Sequence, residues 1–346
     1  MRRWLCRRRR TLAAGVVTLT VYAVLLHTSR SPTSPRPDIS FHPSPPPDQP
    51  RLITLFTTFG ADPAKRQTYE NTLRLWSLLG PSVRPILYYS PGRQLPGLHE
   101  LARSLGWEVF PCPDVSPTPG RLPVLRRMFV HAQEAGARAA FYGYANGDIV
   151  FDESLVLTLR ALRRHADFSR RLMLVGRRFN YRMRPNETIS SLFDVTLRAR
   201  QGMWFMSTAL DYFLSTYDGY PWRDIPDFVV VRIGYDCWLV AHAIDLRIPV
   251  VDASASVTVL HQTGVDGNEA GRQASVMDRF INHGLAGKFD YYIGDAKCAQ
   301  LRTVRTRHDR VLLKPVLQNP CEDLYHRRNR SWRYSGCLID VDANQL

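Results

Sequence analysis

The stretch Ala139-Ala140-Phe141-Tyr142-Gly143-Tyr144-Ala145-Asn146-Gly147-Asp148-Ile149-Val150-Phe151-Asp152 is where the fold is most readable. Seven apolar and aromatic residues run into an Asn-Gly-Asp turn, and Ile149-Val150-Phe151 resumes the apolar run. A strand that ends this way in a parallel sheet delivers its last polar side chain into the crevice at the strand's carboxyl end. One or two oxygen ligands there suit Mg²⁺ or Mn²⁺, which bind through few carboxylates plus substrate phosphates. The same residues read equally well as an Asn-Gly-Asp hairpin turn.

Working outward decides the fold class. Upstream, Arg51–Phe59 is a buried strand ending in small polar residues. A helix follows over Pro63–Leu79 with Tyr69, Leu73 and Trp76 on one face, stopped by Gly80-Pro81. Val83–Tyr89 is a second strand, Leu98–Leu105 a helix and Glu108–Phe110 a third strand. A loop from Pro111 to Pro123 leads to a helix over Val124–Ala135, then to the strand Ala139–Tyr144. This alternation predicts an α/β domain with a Rossmann-like, mostly parallel sheet and helices on both faces. After the first strand come Thr57, Thr58 and Phe59. No GxGxxG or GxxxxGK[ST] pattern is present. The two hydroxyls suit either a nucleotide's base, ribose or phosphate, or a cap on the next helix.

Over roughly Leu52–His261 the chain resembles the GT-A class of glycosyltransferases, which use nucleotide-diphospho-sugar donors. Leu52–Phe59, Gly120-Arg121-Leu122-Pro123 and Phe141–Asp148 carry the likeness. So do Leu174-Val175-Gly176-Arg177-Arg178, Tyr235-Asp236-Cys237-Trp238-Leu239 and Val259-Leu260-His261-Gln262. The resemblance implies that Asn146-Gly147-Asp148 stands where the family has a DxD motif, which chelates the metal and the donor diphosphate. Asp148 matches the residue that usually contacts the metal. Asn146, at the first Asp, keeps an oxygen but loses a charge, so a divalent cation (Mn²⁺ or Mg²⁺) is bound weakly or not at all. Thr57, Thr58, Phe59, Asn146, Asp148 and Arg177 are the expected donor-binding residues. Asp148 and His261, which resembles the late metal- or phosphate-contacting His of the family, are the expected metal ligands.

Asp236 opens an apolar helix, where a carboxylate is favoured by the helix dipole and serves as a cap. The resemblance implies a catalytic role at the acceptor, as base. Arg177 and Arg178 follow the strand Leu172–Val175 and suit a diphosphate, one of them lying at the surface. The loop Tyr217–Asp224 is dense in aromatics. It reads either as an acceptor site, with a sugar face on Trp222 and hydroxyls on Asp218 and Asp224, or as an ordinary packed loop.

The 346 residues, 45% hydrophobic and 22% charged, suffice for a large α/β domain and exclude a disordered chain or a small disulfide scaffold. Arginines Arg2, Arg3 and Arg7–Arg10 form a basic tail (residues 1–10). An apolar span (11–28) of about 27 Å as a helix follows, then a proline-rich disordered stem (29–50). This reads as an uncleaved signal anchor of a single-pass type II membrane protein, with a cleaved signal peptide as the competing reading. Residues 51–270 are then a GT-A-like catalytic domain and 271–346 a C-terminal elaboration packed on the core. The layout is that of Golgi enzymes, shared with receptors and tethered lectins. Sequons at Asn186 and Asn329 and five cysteines beyond the span suit a lumenal glycoprotein with one or two disulfides, Cys321–Cys337 or Cys298 with either.

The net charge of +15 comes from scattered arginines, with no basic stripe interleaved with aromatics, so no nucleic-acid partner is expected. The expectation is a hexosyltransferase-like enzyme acting from a nucleotide-sugar donor on a glycan, glycoprotein or glycolipid hydroxyl. Its rivals are a non-catalytic lumenal binding protein of the same fold, favoured by Asn146, and a nucleotidyltransferase, disfavoured by the anchor.

Overall fold

The computed structural model describes residues 51–118, 120–164, 171–264, 267, 280–289 and 291–322. The expected anchor and stem, the Asn329 sequon and Cys337 lie outside them. Among the described residues no helix is long and apolar enough to cross a membrane.

In chain order the first half runs β1 (Arg51–Thr58), α1 (Arg66–Ser77), β2 (Val83–Tyr89), α2 (Leu98–Ser104), β3 (Glu108–Pro111), α3 (Leu125–Glu134), β4 (Ala139–Ala145), β5 (Ile149–Phe151) and α4 (Ser154–Arg164). The second half is β6 (Met173–Val175), β7 (Phe179–Arg182), α5 (Leu192–Gln201), β8 (Met203–Trp204), β9 (Tyr212–Thr216), α6 (Tyr235–Asp245), β10 (Val250–Ala255), β11 (Val259–Thr263), α7 (Ile281–Ala286), β12 (Leu301–Arg305) and β13 (Val311–Pro315). A short 3₁₀ turn, Pro63–Lys65, precedes α1.

Nine strands form one sheet in the order β13-β12-β10-β6-β9-β4-β1-β2-β3. Its pairs are parallel except β4–β9, β6–β9 and β12–β13. The central strands are buried on both faces, which is why they read as unbroken apolar runs. Alternation still sorts their side chains: Phe141 joins one core with Trp76, Leu155 and Val195 of α1, α4 and α5, and Tyr142 joins the other with Phe129 of α3 and Leu239 of α6. Helices therefore cover both faces, as expected.

Three features go beyond the sequence reading. The strand β9 runs antiparallel in the middle of the sheet. A second sheet of short strands, β5-β11-β7-β8, lies beside the first. The apolar segment Val250–Leu260 is two strands in two sheets, parted over residues 256–258, where the Ser256 and Val257 amides both donate to the Ala253 carbonyl. Within residues 301–315, β12 pairs parallel with β10 and β13 pairs antiparallel with β12, so both extend the main sheet. A disulfide joins Cys298 to Cys321, while Cys112 and Cys237 are free thiols.

Candidate functional site

The parallel strands β1, β4 and β6 end at one edge of the main sheet, and the antiparallel β9 starts there. Tyr212 of β9 pairs with Ala145 of β4, so Asp211 meets Asn146 across the strand ends: the Asn146 amide nitrogen donates to the Asp211 carbonyl at 2.9 Å. The small sheet closes the other side. In β11, His261 pairs with Ile149 of β5 and with Asn180 of β7, and the Gln262 amide donates to the Asp148 carbonyl at 3.0 Å.

Helix α1 props this loop from beneath. The Thr72 hydroxyl donates to the Gly147 carbonyl at 2.8 Å and Trp76 Nε1 to the Ile149 carbonyl at 3.0 Å. Asn71 donates to Gln262 Oε1 at 2.9 Å, and Gln262 Nε2 donates to Thr72 Oγ1 at 3.1 Å. This buried amide–hydroxyl set is paired throughout, as buried polar groups require. Gly147 is needed at its position: a Cβ there would lie 2.7 Å from the Thr58 carbonyl and from the Phe59 ring.

Asp148 Oδ2 lies 3.3 Å from His261 Nε2, and Asp148 Oδ1 is buried with no hydrogen-bond partner. Burial works against a charge on Asp148, but His261, Lys65 and Arg178 outweigh it and hold the carboxyl well below the usual carboxylate range. His261 is only 6% exposed, and its Nδ1 is 3.1 Å from Asn180 Oδ1. That Asn180 atom also accepts from Arg178 Nε at 3.0 Å. A guanidinium only donates, so the atom is the oxygen and His261 Nδ1 carries a hydrogen. Nε2 then holds either a second proton, making an ion pair with Asp148, or a lone pair beside a carboxylate. The second arrangement, with Asp148 Oδ1 unpartnered, is a donor set fit for a divalent cation completed by substrate oxygens. Among the described residues no cluster of three or more His, Cys, Asp or Glu side chains suits a metal.

Arg178, 6% exposed, forms an ion pair with Asp211 and sits over the Phe205 ring at 4.6 Å. Burial pulls its pKa down to about 10, opposed by the negative Asp148 and Asp236, which places both carboxylates within its electrostatic reach. Asp236 stands in the first turn of α6, after Gly234, whose φ of 107° favours glycine. Burial raises its carboxyl from 3.8 to about 6, against backbone N–H bonds from Cys237, Asp236 and Gly234 and the charge of Arg178. Two carboxylates with opposite shifts therefore share one site.

The remaining expected site residues divide. Thr57 is buried and donates to the Thr58 carbonyl, and Phe59 stacks on Tyr69 at 4.4 Å, so this segment walls the Asn146–Asp148 loop. Asn146 is at the site, but its side chain turns to Asp211 (2.8 Å) and Tyr144 (3.0 Å). Of the arginine pair, Arg178 and not Arg177 faces Asp148: Arg177 lies over Trp204 at 4.6 Å and donates to the Phe205 carbonyl. The loop expected either to bind acceptor or to pack as an ordinary loop stands apart from these residues. Trp222 is 1% exposed, stacked on Phe129 with its Nε1 donating to Ser215, and belongs to the core. Asp218 pairs with Arg138, which precedes β4, and Asp224 is exposed on the same loop. Since β4 is seven residues long, this loop is about 20 Å from Asp148 at ~3.3 Å per residue. A cavity of about 370 Å³ lined by Tyr217, Asp218, Trp222 and Asp224 lies at that opposite end. Asn186 is exposed in a turn between β7 and α5.

Lys65, Asn71, Thr72, Asn180 and Asp211 were not legible as site residues. The one available signal was Asn71-Thr72 on the apolar face of a helix, where buried polar groups demand partners.

No protein-family model matches the chain, and no curated protein matches it in sequence. Among solved structures it is similar to glucosyl-3-phosphoglycerate synthase from Mycobacterium tuberculosis in complex with Mn²⁺, uridine diphosphate and glucosyl-3-phosphoglycerate. That likeness has 14% identity over 77% of this chain and 88% of that one, with a TM-score of 0.39. The same enzyme with phosphoglyceric acid gives 15% identity over 62% and 72%, with a TM-score of 0.37. TarS of S. aureus gives 13% over 37% and 22%, with a TM-score of 0.28. Likenesses this distant carry no functional argument, which rests on the residues above.

Proposed function

We propose that the chain is a glycosyltransferase of GT-A type, moving a sugar, a hexose in the first instance, from a nucleotide-diphospho-sugar to an acceptor hydroxyl. The observation that carries this reading is the pairing of Asp148–His261 with the oppositely shifted Asp236 at the carboxyl ends of the strands. In this reading the acceptor oxygen attacks the anomeric carbon, the bond from that carbon to the diphosphate oxygen breaks, and the diphosphate departs with the electron pair. Asp236 takes the acceptor's proton, a role suited to a carboxyl with pKa about 6. Asp148 and His261 Nε2 are the residues that would hold Mn²⁺ or Mg²⁺, which supplies positive charge against the diphosphate. Arg178 and Lys65 add fixed positive charge on the same side.

We further propose a type II Golgi membrane protein with this domain lumenal and Asn186 and Asn329 glycosylated, acting on a glycan, glycoprotein or glycolipid. The N-terminal span and stem support that placement, and the Cys298–Cys321 disulfide suits an oxidising lumen. A rival reading, a non-catalytic binding module, is favoured by the engagement of Asn146 away from Asp148.

The test is thermal-shift titration of the full chain against nucleoside diphosphates with and without Mn²⁺. A ligand at about 100 times its dissociation constant adds roughly 2.7 kcal/mol. A Mn²⁺-dependent shift with one nucleotide, absent in Asp148→Ala, together with turnover of the matching sugar donor, is expected. Binding without turnover supports the non-catalytic module, and no shift from folded protein refutes the donor site.

A further inference from the structure

A chain of hydrogen bonds and ion pairs leaves the Asn146–Asp148 turn and returns to it. Asn146 Nδ2 donates to Asp211 Oδ1 at 2.8 Å, and Tyr144 donates to Asn146 Oδ1 at 3.0 Å. The other Asp211 oxygen pairs with Arg178 Nη1. Arg178 Nε donates to Asn180 Oδ1 at 3.0 Å, which is 3.1 Å from His261 Nδ1, and His261 Nε2 is 3.3 Å from Asp148 Oδ2. Each junction fixes the next. A carboxylate only accepts, so Asn146 must present its nitrogen to Asp211, and the guanidinium fixes the Asn180 oxygen, which fixes the hydrogen on His261 Nδ1.

We infer that Asn146 is a positioning residue and not a weakened ligand: with Asp211, Arg178 and Asn180 it sets the His261 tautomer and aims Nε2 beside Asp148. The inference deepens the proposed cation site and rests on that reading. It reverses the expectation from a two-carboxylate motif. An Asp at 146 would set a carboxylate against Asp211 across a contact of 2.8 Å, where two like charges repel, and would pull Arg178 off Asn180. The negative charge that such a motif carries on its first residue is carried here by Asp211.

The test uses the full chain, with Mn²⁺ affinity read by electron paramagnetic resonance and the His261 tautomer by ¹⁵N chemical shifts in histidine-labelled protein. Asn146→Asp is expected to weaken Mn²⁺ binding by about tenfold or more, within the range that outer-shell partners of ligands command. The exchanged pair Asn146→Asp/Asp211→Asn is expected to restore it to within about threefold, because donor and acceptor are only swapped. Asn180→Leu should weaken Mn²⁺ binding by about 10–100-fold and release the Nδ1–H preference, while Asn180→Asp keeps both. Asn146→Asp binding Mn²⁺ as tightly as the parent would overturn the inference. So would a parent protein whose His261 hydrogen sits on Nε2, a readout that needs neither metal nor turnover. An Nδ1–H tautomer in a parent that binds no Mn²⁺ would instead refute the cation-site reading on which the inference stands.

Discussion

Replacing Asp236 by Asn separates the cost of the buried carboxylate from its use. Burial lifts its carboxyl from 3.8 to about 6, so the folded state binds the proton more tightly than the unfolded chain does. The stability from that difference is complete below the unfolded pKa and is lost as pH rises through about 6. The rise from 3.8 to about 6 corresponds to about 3 kcal/mol in full, of which about 2 kcal/mol is lost between pH 4.5 and 7.5. The amide introduced by Asp236→Asn does not titrate and keeps one oxygen for the N–H groups at the start of α6. The stability difference between parent and variant, measured by urea denaturation at the two pH values, should therefore swing by about 2 kcal/mol in the variant's favour on going to pH 7.5. Turnover in the same variant should fall by about 10²–10⁴, the usual yield of a general base, with nucleotide affinity little changed. A stability difference independent of pH, or a swing of the opposite sign, refutes the buried-carboxylate argument. Undiminished turnover removes Asp236 from the chemistry.

Two further substitutions test the frame around the site. Gly147→Ala sets a Cβ 2.7 Å from the Thr58 carbonyl, a backbone atom that cannot rotate away. It should lower stability by about 1–3 kcal/mol and weaken Mn²⁺ binding with it, and a variant with parental values in both would show that the loop has room to spare. Trp222→Ala empties a core position stacked on Phe129 and should lower stability by about 3–5 kcal/mol in urea denaturation, leaving nucleotide affinity at the parental value. A large rise in acceptor KM with little loss of stability would return that loop to the acceptor site.

What was legible in the sequence follows a physical division. The strands β1, β2 and β4 are buried on both faces, so their apolar runs announce them, and Asp148, Asp236 and His261 stand out because each follows or opens an apolar run. The strand β9 carries no mark of its direction, since Tyr212–Thr216 is as apolar as a parallel strand. The small sheet is built from strands of two to five residues, too short for alternation to register. Partner choice is harder still. Asp211 reaches Asn146 only through the β4–β9 register, and Asn180 reaches His261 only through β7–β11. Both are long-range pairings with no local pattern. The sequence left Trp222 open between two readings for a related reason: a turn rich in aromatics looks the same whether it lies over a ligand or over Phe129.

The two shifted carboxylates argue for a division of labour that neither residue type nor spacing reveals. Asp148 is surrounded by His261, Lys65 and Arg178, so it stays ionised across the physiological range. Asp236 has the N–H groups of a helix start and one shared arginine, and burial outweighs both, leaving its carboxyl at about 6. A group that never takes up a proton is suited to holding positive charge, and a group that titrates close to neutrality is suited to moving a proton. Arg178 is felt by both. Neutralising it would therefore raise the two carboxyls together. In the proposed reading, its place at the centre of the chain of hydrogen bonds and ion pairs from Asn146 to His261 joins cation geometry and acid–base chemistry through one side chain.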